Sequence, residues 1–244
     1  MTDLHTHILP AMDDGAKDVQ TSLAMLGRAQ EQGVRHLALT PHFYREDERP
    51  ERFLARRAES WDKLRGAMGS SASCFPELVL GAEVAWVPGI HRWEGLDRLC
   101  LGESRYLLLE LPDTPWRGSM IDQIYDMMDS SAVTPILAHL DRYLPTQKPD
   151  HIRELLHMGI PFQISAEPML HLLRRGKLLR QLAGNPHWML ISDCHNLTSR
   201  PPNLGAGMAQ IEKKLPPEAV SAIKRNSRRI FEQAAGKEDL YAPK

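Results

Sequence analysis

Long apolar runs are missing from this sequence. No stretch approaches the roughly 18 uninterrupted apolar residues of a membrane span, so no stable membrane insertion is expected. The opening MTDLHTHILP has no basic segment followed by an apolar core, so it does not read as a signal peptide. Cysteine is scarce. Cys74, Cys100 and Cys194 are odd in number and far apart, which fits a reducing, cytoplasmic setting better than a disulfide framework. An excess of charge is missing too. Thirty basic residues against 31 acidic leave a formal net charge of −1, which argues against nucleic-acid binding driven by phosphate neutralisation. There is no low-complexity segment, no short internal repeat, and no linker rich in proline, glycine or serine. One domain over residues 1–244 is expected.

What is present is an alternation of short apolar runs with amphipathic stretches. The runs are residues 3–7, 36–40, 77–84, 106–111, 133–139, 161–165 and 188–193. Between them lie stretches with helical spacing at 22–32, 52–68, 120–131, 152–158 and 178–184. In the first, Leu23, Leu26 and Ala29 recur three apart and Gly33 stands just past the end as a stop signal. Residues 204–235 read as two or three closing helices, one of them started by Pro216 and Pro217. Near-continuous apolar strands alternating with helices predict a parallel sheet buried on both faces. Seven such units in about 200 residues suggest a closed or nearly closed α/β barrel.

The polar residues collect at the C-terminal ends of the expected strands. These ends carry His5 and His7, His42, Glu83, Glu110, His139 with Arg142 following, and Asp193 with His195. In a parallel barrel such ends converge on one face. Unpaired, that much histidine and carboxylate would crowd costly buried charge into one place, and metal cations are the usual remedy. On a strand, residues i and i+2 face the same way, so His5 and His7 can grip one ion, as can Asp193 and His195, with Cys194 facing the opposite side. A mixed imidazole and carboxylate set without thiolates suits Zn, Mn or Fe rather than a structural zinc knot.

These motifs also fall in a familiar order. His5-Thr6-His7, Asp13-Asp14-Gly15, Thr40-Pro41-His42, Gly81-Ala82-Glu83, Leu108-Leu109-Glu110-Leu111, the segment from Ala138 to Tyr143, and the segment from Ser192 to Pro202 resemble one family throughout. It is the polymerase-and-histidinol-phosphatase (PHP) type of protein-tyrosine phosphatase found in bacterial capsule and exopolysaccharide systems. The resemblance runs from about residue 1 to about residue 235. It implies a distorted seven-stranded (β/α) barrel of the PHP type holding three metal ions, with manganese first in expectation and iron or zinc as alternatives. Carried over by position, His5, His7, Glu83 and Asp193 would hold the first ion. Glu83, Glu110 and His139 would hold the second, and Asp14, His42 and His195 the third. Arg142 and Arg200 match the arginines that grip the phosphate. Asp14 and Glu110 make the site more acidic than in the histidinol-phosphatase or polymerase-associated branches. The implied partner is a phosphotyrosine protein, the tyrosine-rich tail of a bacterial tyrosine kinase. Homo-oligomerisation is left open.

The chemistry expected of such a site is phosphoester hydrolysis by a hydroxide bridging the metals, with the arginines on the equatorial oxygens. A tyrosine phenol, with a pKa near ~10, leaves without much proton donation, whereas a serine or threonine alkoxide asks more of a general acid. Three rival readings stand beside this one. Cys194 and Arg200 have the bare C-x5-R spacing of cysteine-dependent phosphatases, but residues 195–199 contain no glycine to close such a loop. Another PHP activity, on histidinol phosphate or nucleic-acid ends, would use a similar metal site. A non-catalytic metal- or phosphate-binding scaffold would not need so complete a ligand set. His36, His91, His151, His157, His171 and His187 lie outside the strand-end motifs and read as surface or structural. Residues 45–57 read as a solvated segment or as a rim that steers an acidic phosphopeptide. Trp86, Trp116 and Tyr143 are open to either ring stacking or core packing.

Overall fold

The computed structural model describes residues 1–130 and 133–237. Each expected apolar run seeds a strand, and every strand pairing is parallel. The strands are β1 (Thr2–Asp3), β2 (His36–Leu39), β3 (His42–Phe43), β4 (Glu77–Leu80), β5 (Glu83–Ala85), β6 (Tyr106–Glu110), β7 (Thr134–Leu137), β8 (Phe162–Ser165) and β9 (Trp188–Ile191). The α/β class with parallel strands therefore stands, but the pairing differs from seven uninterrupted strands. Among the described residues there are two sheets, ordered β1-β2-β4 and β3-β5-β6-β7-β8-β9. The expected strands at 36–40 and 77–84 each break in two. Pro41 has no N–H to give to a ladder, and the glycine at Gly81 loosens the second. Single backbone bonds span the breaks: Thr40 N–H to Thr6 O, Gly81 N–H to Leu39 O and Glu83 N–H to Pro41 O. Others join the ends of β1 and β9, from Asp193 N–H to His5 O and from His7 N–H to Cys194 O.

The helices are α1 (Val19–Glu31), α2 (Pro50–Met68), α3 (Gly118–Ser130), α4 (Pro149–His157), α5 (Leu172–Gln181), α6 (Leu204–Glu212) and α7 (Pro217–Ala234). Helix α1 starts three residues earlier than its apolar spacing suggested. Asp18 caps it, accepting from Thr21 N–H at 2.8 Å, and its buried face is Ser22, Met25, Leu26 and Ala29. Its end is a Schellman motif. Gly33 has φ +83, its N–H bonds Gln30 O, and Val34 N–H bonds Ala29 O. Prolines at the first helical position move the starts of α2 and α4 ahead of the expected ones. Helix α5 begins six residues before the expected 178 and ends at Gln181, because the basic residues of its first turns hide the apolar period. The helix expected over 120–131 is α3; residue 131 lies outside the described residues. The closing segment forms two helices, α6 and α7.

Alternation along the strands feeds two apolar cores. Leu37, Leu39, Leu107, Leu109, Leu137 and Leu190 pack outward under the helices. Ala38, Leu108, Ile136, Met189 and Ile191 point the other way, into a second core with Ile230, Phe231 and Ala234 of α7. Helix α7 reaches the N-terminal ends of the strands, where Phe231 lies 4.9 Å from the ring of His36. That inner face is the one that bears the chemistry. Two residues beyond Ala38, Leu108 and Ile191, on the same register, come Thr40, Glu110 and Asp193, at the ends away from α7. Among the described residues no helix is long and apolar enough to cross a membrane.

Candidate metal centre

At the C-terminal ends of the strands the structure brings together all nine expected metal-binding residues. Glu83 is the hub and is fully buried. Its Oε2 lies 3.0 Å from His5 Nε2, 3.2 Å from His7 Nε2 and 2.9 Å from His42 Nδ1, while its Oε1 lies 2.8 Å from His139 Nε2. Asp193 Oδ1 stands 3.6 Å from His5 Nε2 and 3.5 Å from His7 Nε2, and those two nitrogens face each other at 3.2 Å. Glu110 approaches His139 Nε2 to 3.6 Å and His42 Nδ1 to 3.9 Å. Asp14 reaches His42 Nε2 at 3.6 Å and His195 Nε2 at 3.3 Å. His42 thus faces two groups, one through each ring nitrogen.

These separations suit cations. Donors at ~2.0–2.2 Å around a four-coordinate ion stand about 3.3–3.6 Å apart, close to the spacing within the His5, His7, Glu83 and Asp193 set. Glu83 Oε2, His42 Nδ1 and His195 Nε2 are buried and, although close to opposite groups, make no hydrogen bond among the described residues. Electrostatics point the same way. Burial would drive His5 and His7 neutral, but Glu83, Asp193 and, at His7, Asp13 outweigh it and raise both pKa values. Burial would likewise raise Glu83, yet His5, His139 and His42 hold it well below the usual carboxylate range. At Glu110 the balance tips the other way, and burial together with the charge of Glu83 pushes the carboxyl up. The nest is short of positive charge.

Backbone strain helps to aim the donors. Among the described residues only Ala11, His139 and Asp193 combine a side chain with positive φ, and His139 (φ 26) and Asp193 (φ 51) are both in the nest. After His139 a single 3-10 turn, Leu140–Arg142, carries Arg142 to the rim. There the guanidinium donates to Asp193 Oδ2, as does Arg200 at 2.7 Å. Asp193 therefore offers one oxygen to the histidines and the other to both arginines.

Three residues that sequence reasoning did not assign complete the arrangement. His7 Nδ1 donates to Asp13 Oδ2 at 2.7 Å, and the same oxygen accepts from His42 N–H at 2.9 Å. His5 Nδ1 donates to Gln163 Oε1 at 2.8 Å from β8. Each bond fixes a tautomer that leaves Nε2 free to face the centre. Tyr44 stacks on His42 with ring centroids 5.2 Å apart and is partly open to solvent. Asp13 adjoins Asp14 in the sequence, and only the folded loop decides that Asp13 turns in while Asp14 faces the histidines. Gly15 permits that loop, since a Cβ there would lie 2.1 Å from His7 O.

The other expectations resolve by packing. Cys194 is buried in the outer apolar core, facing away from the nest, and burial pushes its thiol pKa far up, so it is unsuited to attack phosphorus. Tyr143 is buried and donates to Leu111 O at 2.6 Å, while Trp116 packs 5.2 Å from it and donates to Pro112 O. Trp86 packs partly buried against the core. None of His36, His91, His151, His157, His171 and His187 enters the nest. In the 45–57 segment Arg56 is tied to Glu48 at 2.6 Å.

A family model described as capsular polysaccharide synthesis, CpsB/CapC, matches residues 1–232. The chain belongs to the CpsB/CapC family. It is 29% identical over 231 residues to the tyrosine-protein phosphatase CpsB of Streptococcus pneumoniae, spanning 88% of this chain and 90% of the relative. To the tyrosine-protein phosphatase YwqE of Bacillus subtilis it is 27% identical over 234 residues, spanning 93% and 90%. A chain from the work described as crystal structures of YwqE from Bacillus subtilis and CpsB from Streptococcus pneumoniae, unique metal-dependent tyrosine phosphatases, shares the fold seen here, with a TM-score of 0.82 at 24% identity over 96% of this chain and 95% of that one. A β-aspartyl dipeptidase from Fervidobacterium islandicum AW-1 is a more distant fold neighbour, with a TM-score of 0.53 at 13% identity over 95% of this chain and 75% of that one.

Proposed function

We propose that this chain is a metal-dependent protein-tyrosine phosphatase that removes phosphate from a bacterial tyrosine kinase controlling capsule or exopolysaccharide synthesis. The observation that carries this reading is the buried nest around Glu83 with two arginines meeting at its edge on Asp193. His5, His7, Glu83 and Asp193 would hold one ion, Glu83, Glu110 and His139 a second, and Asp14, His42 and His195 a third. Manganese is the first expectation, with iron or zinc accepting the same donors. When bound, such ions supply Lewis-acid stabilisation of phosphate oxygens and a nucleophile from water at neutral pH.

The chain's own residues do the rest. Arg142 and Arg200 present fork-shaped donors to the equatorial oxygens of the phosphoryl group, where transition-state charge collects. Asp193 holds the two guanidinium groups together at the rim. Asp13 and Gln163 keep a proton on the outer nitrogens of His7 and His5. Tyr44, stacked on His42, offers an aromatic wall to a substrate ring. Arg200 and Arg142 are each more than a third exposed, as groups that meet a substrate must be.

The bonds across the two sheets and between the ends of β1 and β9 support a distorted seven-stranded barrel of the PHP type, folded as one unit over the described residues. The three free thiols fit a reducing cytoplasm. The kinase's tyrosine-rich tail is the partner that best suits an open, arginine-edged site.

The deciding experiment measures phosphate release from a phosphotyrosine peptide by metal-replete and chelated protein, with Cys194→Ser and His42→Ala in parallel. Activity is expected to vanish on chelation, return with Mn, survive Cys194→Ser and be severely lowered by His42→Ala. Activity that persists in chelator but dies with Cys194→Ser overturns the reading. A metal-loaded protein inert toward phosphotyrosine but active on histidinol phosphate or nucleotide esters moves it to another PHP activity.

A further inference from the structure

The metal centre lies between two clefts of opposite sign. One, of about 470 Å³, runs from Asp193, Arg142 and Arg200 to a face of α5 that contributes Arg174, Lys177 and Gln181. The other, of about 450 Å³, is walled by Asp14, Asp47 and Glu48 beside Tyr44, with its one arginine, Arg56, already bonded to Glu48. Helix α5 carries Arg174, Arg175, Lys177 and Arg180 in ten residues and no carboxylate. Their roles divide. Arg175 is buried, donating to Met169 O and to Gln210, and anchors the helix. Residues 174, 177 and 181 recur at helical spacing, so one side of α5 is presented to the cleft. Arg174 is largely exposed and only loosely bonded to Glu167, at 3.4 Å. Lys177 has no carboxylate partner among the described residues. The carboxylates along the cleft are already engaged. Asp141 accepts from the N–H and hydroxyl of Ser165, Glu167 pairs with His171 at 2.7 Å, and Asp193 holds the two arginines. A merely solvated basic face would not wall a concave path that ends at the phosphate-gripping arginines.

We propose that the α5 cleft binds an acidic peptide segment beside the target phosphotyrosine, so that the enzyme selects phosphotyrosines flanked by carboxylates or further phosphate groups. The opposite, acidic cleft repels such a segment and sets the direction in which the peptide lies. This inference rests on the phosphatase reading above.

The test compares peptides that carry one phosphotyrosine flanked by Glu, Ala or Lys, a peptide with a second phosphotyrosine in place of the Glu residues, and p-nitrophenyl phosphate. Wild-type protein is set against Arg174→Glu/Lys177→Glu. Wild type is expected to prefer Glu over Lys flanks by about tenfold in kcat/KM, mostly through KM, with the preference shrinking as salt rises. The double variant should lose or invert that order and leave p-nitrophenyl phosphate turnover unchanged. The doubly phosphorylated peptide separates the two sources of negative charge: it outruns the Glu peptide if phosphate is the preferred neighbour and matches it if charge alone is read. Equal rates on Glu and Lys flanks, or an order that the double variant keeps, overturn the inference. Fluorescence anisotropy with a Glu-flanked phosphonate peptide reads the cleft without hydrolysis. Undiminished binding by the double variant refutes the α5 assignment. Weakened binding alongside no turnover of any aryl phosphate refutes the phosphatase reading and leaves the cleft assignment standing.

Discussion

Asp13 shows how much a single unassigned residue contributes. Its carboxylate accepts from His7 Nδ1, His42 N–H and Gly15 N–H, and despite burial these bonds hold its pKa far below the usual range. It therefore stays charged, keeps His7 in the tautomer that faces the centre, and pins the backbone that carries His42. Partners of this kind are worth about 10–100-fold in metal affinity. Asp13→Ala is expected to fold and to need about that much more Mn for half-maximal activity, read from a metal titration. An unchanged titration would mean that His7 keeps its tautomer without help. The nearby Gln163 was harder to foresee, because an amide on a strand without a charged end gives no sign of lying 2.8 Å from a histidine 158 residues away. Eight of the nine candidate ligands were legible, since each stands at or near the end of an apolar run, whereas Asp14 lies in a loop and was named only through the family resemblance. The residues that orient them were not, because their partners come from other elements.

At the scale of elements, α7 holds the end of the sheets opposite the candidate metal centre. Phe231 is fully buried in the inner core with Leu4, Ala38, Leu108 and Met189. Phe231→Ala is expected to cost about 3–5 kcal/mol, measured by urea unfolding. A loss below 1 kcal/mol would show that the inner core does not depend on this helix. The same helix touches β2 through Arg228, whose guanidinium donates to the ring of His36 at 2.7 Å. Burial and then the charge of Arg228 lower the His36 pKa from 6.5 to about 4. The unfolded chain thus takes up a proton near 6.5 that the folded chain refuses until about 4. Stability should therefore fall as pH drops through that window, and be fully present above it. His36→Gln should flatten that part of a stability curve recorded by urea unfolding between pH 4 and 7.5. An identical slope in the variant would assign the loss to other groups. Helix existence and type were readable along most of the chain, but several starts were not. Asp18, Pro50 and Pro149 set starts that apolar period alone placed later, and the cationic turns of α5 masked its beginning.

For the whole molecule, the register of parallel strands gathers three buried or partly buried carboxylates, Glu83, Asp193 and Glu110, and five histidines, His5, His7, His42, His139 and His195, into one nest. Bound cations should then stabilise the fold as well as equip the site. Saturation at ~100 times Kd is worth about 2.7 kcal/mol, and each kcal/mol moves the midpoint of a chain this size by about 2–4 °C. Chelation is expected to lower the thermal midpoint by several degrees, reversed by Mn, and Glu83→Gln should abolish most of that response. A midpoint indifferent to chelator would argue that the nest is stable without ions.

By itself the sequence determined the α/β class, the order of strands and helices, and the residue types at the strand ends, because alternation and helical period act over a few residues and leave their mark in local order. It also determined the family, through motifs whose spacing follows that order. What only the tertiary structure decided lies in contacts between residues far apart along the chain. These include the choice of Asp13 over Asp14 as the buried partner of His7, the meeting of both arginines on Asp193, and the opposite charge of the two clefts. Each depends on how separate elements pack, and packing energy is shared across the whole core rather than written at any one position.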